Sequence, residues 1–527
     1  MNFGRARGRF VRLGATLAAA ILVAGCGNIY RPVVTPSSPS GPAAQPESLV
    51  AVVSDPSPTS DGIATILDYS GDSVMATQPI GLNPLAFTVD ANGGNGYTIN
   101  SDGTLTNFPV STTLQELQIT YSTPPPSAKL VNLFSPVPAS GMWGADLNGD
   151  VADAFSGSPK TYVMSVPVAP SPVTVVGAPS GATRDFAISQ NISNPTGMDC
   201  NISPTAQPYG EVTGIEVSTS SYTPDTPIPV GRCPVYGVES SDGQRLFVLN
   251  RGSDTVSVIN VITDALDSCT CPPTGCVNRS GETYTCHPTL PLSTTAVSAM
   301  EAADPSYTGP PNGTTGMPAI AGPVYAEYNA ATSQLVIADY DGGTVSIIDV
   351  SLDEYGNDSS TFGTTYTVKV GNNPASVTAL VDGSRAYAAN QSDSSVSIVY
   401  MSSSHTVEKT LAVTGHPRTV VSVQNSEYGK VYVASPDSPD MTIINTGGTD
   451  PDTVDTTLNL ASGNILDVRV SAQNAQSGNS NTTSRMPGYG EPCNLPLSDF
   501  NPATSSSPTL ANCRVQDPSL LTGQSQP

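Results

Sequence analysis

Residues 373–399 contain Asn373-Pro374-Ala375-Ser376-Val377, then Asp382-Gly383-Ser384-Arg385-Ala386-Tyr387-Ala388-Ala389-Asn390, then Ser395-Val396-Ser397-Ile398-Val399. Three short alternating segments are separated by an Asp-Gly turn and an Asn/Ser turn, the pattern of a small antiparallel meander. The same order recurs on both sides. Upstream lie Cys233-Pro234-Val235-Tyr236, Arg245-Leu246-Phe247-Val248-Leu249-Asn250 and Thr255-Val256-Ser257-Val258-Ile259-Asn260. Next come Pro323-Val324-Tyr325, Gln334-Leu335-Val336-Ile337-Ala338-Asp339 and Thr344-Val345-Ser346-Ile347-Ile348-Asp349. Downstream are His416-Pro417-Arg418, Lys430-Val431-Tyr432-Val433-Ala434 and Met441-Thr442-Ile443-Ile444-Asn445. Each unit ends in a further strand and a glycine, as in Tyr366-Thr367-Val368-Lys369-Val370-Gly371.

Four strands in about 40–50 residues is the period of a propeller blade. One twisted four-stranded sheet cannot cover both of its faces, so the sheets must stack radially. The units resemble the YVTN-type β-propeller repeat, whose Tyr-Val-x-Asn strand corresponds here to Tyr387-Ala388-Ala389-Asn390 and Phe247-Val248-Leu249-Asn250. The resemblance is dense over 231–460 and sparse over 47–230, where Pro84 to Asp90 and Val212 to Val217 mark further strands.

The ends fit a closed ring. Ser48 to Val53 reads as a second strand, Gly62 to Asp68 as a third and Ser73 to Gly81 as a fourth, with no first strand before them. Asn464 to Val470 follows the last full unit as an orphan first strand. Pairing the two ends removes two free edges. The expectation is an all-β chain forming a single β-propeller of seven or eight four-stranded blades, closed by its N- and C-terminal strands, over 47–473.

The N-terminus has its own signature. Arg5, Arg7, Arg9 and Arg12 precede an apolar run, Leu13 to Gly25, that ends Ile21-Leu22-Val23-Ala24-Gly25-Cys26. A basic n-region, a short apolar region and small residues before the cut describe a secretory signal peptide. The run is shorter than the roughly 20 residues a membrane span needs. Val-Ala-Gly-Cys resembles a bacterial lipoprotein lipobox, which implies a signal peptide over 1–25 and lipidation of Cys26. Gly27 is not an acidic sorting residue, so the resemblance points to the outer membrane rather than the inner. Residues 26–46 are a Pro/Ser-rich tether, and 474–527 form a Ser/Asn/Pro-rich tail.

The chain carries 44 acidic and 20 basic residues, a net charge of −24, which becomes −28 once the four arginines of 1–25 are removed. Such a surface repels nucleic acid. The expected partners are the membrane through the lipid, and an envelope protein or glycan.

Eight cysteines remain after Cys26: Cys200, Cys233, Cys269, Cys271, Cys276, Cys286, Cys493 and Cys513. An even number in an exported chain suggests disulfides. Proximity favours Cys200–Cys233, Cys493–Cys513 and two bridges within Cys269–Cys286. The last group could instead hold zinc, but it lacks a Cys-x-x-Cys pair. It lies in an insertion at about 264–312 that interrupts one repeat and could project as a partner surface.

For chemistry, there is no Gly-x-Ser-x-Gly, no His-Glu-x-x-His and no P-loop. Three histidines, His287, His405 and His416, are too few for a histidine-rich metal site. Asp146, Asn148, Asp150 and Asp153 place oxygen ligands at close spacing in one loop. They read either as a calcium site or as an Asx-rich hairpin turn. Arg245, Arg385 and Arg418 recur in the repeats and could face the channel or the rim. No cofactor is required by this pattern. The expectation is a lipid-anchored binding or scaffold module. The alternative is a lactonase-like hydrolase working through channel carboxylates or a metal.

Overall fold

The computed structural model describes residues 49–470 except 58, 69–71, 91–92, 111–118, 136–140, 178–183, 196, 198, 218–220, 269–275, 278–282, 403 and 423–428. Eight antiparallel sheets of four or five strands succeed one another along the chain. Blade 2 begins at Pro84–Val89, blade 3 at Leu130–Phe134 and blade 4 at Pro172–Gly177. Blade 5 begins at Pro234–Glu239, blade 6 at Pro323–Asn329, blade 7 at Pro374–Ala379 and blade 8 at Thr419–Ser422. The first strands of successive blades touch in turn, so eight blades surround one axis. The ring is therefore an eight-bladed β-propeller.

Blade 1 is composite. Its first strand is Asn464–Val470, and its others are Leu49–Asp55, Asp61–Asp68 and Ser73–Leu82. The closure is antiparallel, with Val50 opposite Val470, Val52 opposite Val468 and Asp55 opposite Asn464. The strand order expected from the two ends is the one observed.

Period-two alternation does the packing. Val50 and Val52 join Val421, Tyr432 and Ile443 between blades 8 and 1. Their neighbours Ala51 and Val53 join Phe87 and Phe108 between blades 1 and 2. A one-residue slip would exchange these two faces, so apolar content on both sides fixes the register.

The end of each second strand is held by a recurring polar pattern. The Asn390 side-chain amide donates to Ser395 Oγ (3.0 Å) and Ser397 Oγ (2.8 Å) of the third strand. Asn250 does the same to Thr255 and Ser257, and Asn100 to Thr104 and Thr106. Asn390 Oδ1 accepts from Gly371 N, in the link entering the blade. A Cβ on Gly371 would stand 2.6 Å from the Asn390 side chain, and one on Gly231 2.5 Å from Asn250. The Asn and the glycine of the repeat thus form one buried unit.

Because strands alternate in direction, the links between blades and the turns joining second to third strands share one end of the ring. This end is called the upper face here. Most of these turns are short, as at 101–104, 251–254, 340–343 and 391–394. Two segments are long: the turn at 190–208 in blade 4 and the link at 292–322 from blade 5 to blade 6.

Candidate functional site

Both long segments rise from neighbouring blades of the upper face, and a buried polar network joins them to the ring. Residues 190–208 carry a short helix, Asp199–Ile202. Cys200 is bonded to Cys233 at the start of blade 5. Both cysteines are fully buried. Beside the bridge, Arg251 in the blade 5 turn donates Nη1 to Asn201 Oδ1. Its Nε and Nη2 grip Asp341 of blade 6 at 3.2 and 3.0 Å. Its guanidinium also lies over the Tyr340 ring, 5.4 Å from the centroid. With a side chain only 1% exposed, Arg251 is a locked, desolvated clamp rather than a free ligand group.

The link is anchored equally firmly. Ser293 Oγ accepts from Ala296 N and caps the helix Thr294–Ala303. Asp254 Oδ1 accepts from Gly322 N at the far end of the link. Burial raises Asp254 above the usual carboxylate range, against the donors that lower it. On this rigid base stand exposed groups. Tyr209 is 58% exposed with the Arg232 guanidinium 4.2 Å from its ring centroid, and Ile320 is 57% exposed. An aromatic face, a guanidinium and an aliphatic side chain on a fixed platform can bind a partner by stacking and burial.

Around the axis, polar side chains of several first strands bridge to the next. Asn132 Oδ1 accepts from Val175 N, Ser376 Oγ from Val420 N and Glu327 Oε2 from Ala379 N. Asp467 accepts from Thr419 Oγ1 and from the fully buried Arg469. The Tyr236 and Tyr325 rings meet at a tilt, with centroids 4.8 Å apart. Inner strand edges leave backbone N–H groups without a ladder partner, and these side chains satisfy several of them. Sequence reading missed Asp467, Arg469 and Glu327. The signal was present as polar residues alternating with aliphatic ones inside the first strands.

The recurring basic residues that start the second strands are committed to contacts between blades rather than free on the rim. Arg245 pairs with Asp267 at 3.1 Å and Asp358 at 3.6 Å. Arg385 bonds Asp452 and Thr446 O of the following blade. Lys430 bonds Asp72, and Arg184 reaches Val261 O and Asp264. Each starts a second strand and reaches the next blade near its third-to-fourth turn. Asp72, Asp264 and Asp452 all have positive φ there. Arg418 is buried, and its N–H donates to Ala434 O.

The loop Asp146–Asp153 divides its acids. Asp146 Oδ1 accepts from Lys129 N and Asn148 N, Asp150 Oδ1 from Ser171 N and Asp153 Oδ1 from Ser165 Oγ. Burial pushes Asp153 up to about 6. Asp146 and Asp153 lie on paired strands, yet each carboxyl serves its own donor, as a turn requires. Among the described residues no group of three or more His, Cys, Asp or Glu side chains is placed to hold a metal ion.

The insertion in blade 5 leaves from an unexpected place. Ala265 and Leu266 pair with Asn260 and Ile259, and Thr289 to Pro291 pair with Ser257 to Thr255. Both are halves of one outer strand, so the chain leaves the blade after Leu266 and returns at Thr289 on the perimeter rather than at either end of the ring. His287 docks this segment on blade 6, Nδ1 lying 2.8 Å from Asp358 Oδ2 and the ring stacking on Phe362. Cys286 is disulfide-bonded. Cys269 and Cys271 lie outside the described residues, as do Cys26, Cys493 and Cys513. Of the Cys276 side chain nothing is described.

His416 also pairs with an acid, its N donating to Asp437 Oδ1 and its Nδ1 lying 2.6 Å from Asp437 Oδ2. Asn372 makes the same two-pronged contact to Asp393 one blade earlier. The His–Asp pair is thus a repeat feature of the links. His405 is placed elsewhere, stacked on Tyr366 at 3.7 Å.

Fold and site together define a disulfide-stapled eight-bladed propeller with one built-up face. No family model matches the chain, and no curated protein gives a significant match. Solved propellers do match in shape. AztD of Citrobacter koseri aligns over 80% of this chain and 97% of its own, with 9% identity and a TM-score of 0.50. Sqt1 of Saccharomyces cerevisiae covers 77% and 96% at 10% identity and 0.49. The periplasmic gluconolactonase PpgL of Pseudomonas aeruginosa covers 81% and 99% at 13% identity and 0.45. At these identities the likeness is one of fold.

Proposed function

We propose that this chain is a lipid-anchored cell-envelope β-propeller that serves as a binding or scaffold module. The upper face of blades 4 to 6 is its recognition surface, and an envelope protein or glycan is its partner. The observation that carries the reading is the concentration of both long segments, the Cys200–Cys233 staple, the exposed Tyr209 and Ile320 and the half-buried Arg232 on one side of an otherwise short-looped ring. The arginine-rich start and Val23-Ala24-Gly25-Cys26 support an anchor at Cys26 and an outer-membrane location, with 27–46 as spacer. The acidic chain disfavours nucleic acid.

Two measurements test this. Labelled fatty acid should enter the wild-type chain and not Cys26→Ser, which should leave the membrane fraction. Residues 47–527, immobilised and offered solubilised envelope, should capture a partner that Tyr209→Ala with Arg232→Ala loses. Equal capture by both proteins would remove the face from the account. No capture, together with turnover of lactones or esters, would favour the hydrolytic reading instead.

A further inference from the structure

Blade 4, which carries the stapled turn, is flanked on both sides by a buried carboxyl group. In blade 5, Val235, Gly237 and Glu239 share one side of the first strand. A Cβ on Gly237 would stand 2.4 Å from Ile188 Cδ1, so this side packs against blade 4. Glu239 is 0% exposed, and neither carboxyl oxygen has a hydrogen-bond partner. In blade 4, Asp185 alternates with Phe186 and Ile188 and so faces blade 3. Its Oδ2 accepts from Trp143 Nε1 at 2.7 Å, and it is 4% exposed.

The charges around these two groups all act in one direction. The acids that act on Glu239 are Asp185, on the far side of the blade 4 sheet, and Asp242, in the turn that follows the strand. Arg184 is the base on the side of blade 4 that faces blade 5, but it is committed to Glu216, Asp225, Asp264 and Val261 O. Arg245 opposite points to Asp267 and blade 6. The segments 136–140 and 178–183, which follow the first strands of blades 3 and 4, contain no ionisable side chain. Lys160 of blade 3 sits over Tyr97 of blade 2. A carboxylate without a cation or sufficient donors in a dry seam is costly, so both groups favour the neutral acid. Burial pushes Asp185 up to about 7 against the Trp143 donor, and burial raises Glu239 well above its ordinary value, with Asp185 and Asp242 adding to the rise.

We propose that blade 4 is a proton-controlled element of the ring. Its seam with blade 3 stays closed while Asp185 is protonated and its seam with blade 5 while Glu239 is, and each loosens when its own acid ionises. Each group is neutral in the folded chain and ionised in the unfolded chain at intermediate pH. Their stabilisation is therefore complete below the ordinary carboxylate range and is lost as pH rises through the folded values. The turn at 190–208 rides on this blade, so its mobility follows the proton count.

The test is hydrogen exchange on the full chain at pH 5.5 and 8.5, corrected for the intrinsic chemical rate. Strands 184–189 and 234–239 should lose protection by roughly tenfold or more at pH 8.5, while 385–390 in blade 7 keeps its own. That internal comparison separates the effect from general repulsion in an acidic chain. Glu239→Gln combined with Asp185→Asn should abolish the loss. Unchanged protection of both strands in the wild type, or an equal loss in the double variant, overturns the proposal. Should the double variant not fold, Asp185→Asn alone, whose amide oxygen still accepts from Trp143, should keep the loss at 234–239 and remove it at 184–189. Loss at both would contradict it.

Discussion

Asp339 shows what the repeat demands of one residue. It ends the second strand of blade 6, where Asn100, Asn250 and Asn390 stand in blades 2, 5 and 7. Its Oδ2 accepts from Thr344 Oγ1 (3.0 Å) and Ser346 Oγ (2.7 Å), but Oδ1 has no partner. Burial pushes it up to about 7, against those two donors. The folded chain thus holds a proton that the unfolded chain releases near 3.8. Stability must fall as pH rises from that value towards 7. Asp339→Asn removes this proton uptake and restores a donor to the third strand. Urea unfolding should show the variant gaining about 2 kcal/mol on wild type between pH 5 and pH 8. A pH-independent difference would contradict this. The Asn position could be read from the repeat. Its need for both a donor and an acceptor emerges only with Ser395, Ser397 and Gly371 in place.

Pairs of blades are joined by a device that the repeat sequence half reveals. Arg385 starts a second strand, and the acid it needs, Asp452, lies one blade later in a turn whose positive φ aims the carboxylate back. Tyr387 Oη donates to the same carboxyl group. The arginine was visible in sequence, but its direction was not, because the partner is 67 residues away. Arg385→Met would leave Asp452, with 2% of its side chain exposed, without its cation. The expected cost is about 3–5 kcal/mol in chemical denaturation, and adding Asp452→Leu should recover much of it. Additive losses would show that the two residues do not act as a pair. The blade 5 insertion teaches the same point. Its cysteines marked it in sequence, yet its lateral exit depends on Leu266 and Thr289 sharing one outer strand.

At the scale of the whole molecule, the ring and its closure were legible because both depend on local alternation and on counting strands at the ends. The sparse half, 47–230, hid the number of blades: Asp146 and Ser189 end the second strands of blades 3 and 4 where the repeat has its Asn, while the strands persist. The built-up face was less legible. The cysteine-rich stretch drew attention as a surface projecting from one face, yet its chain leaves from the perimeter, and the built-up face comes from 190–208 and 292–322. A rigid ring of short turns with one elaborated sector should engage its partner in that sector alone. The decisive measurement is site-specific photo-crosslinking in intact cells, with the probe at Tyr209 on the upper face or at exposed Tyr121 on the outer strand of blade 2. The account predicts a discrete adduct from position 209 and none from 121. Adducts from 121 alone, or the same adducts from both positions, would contradict it.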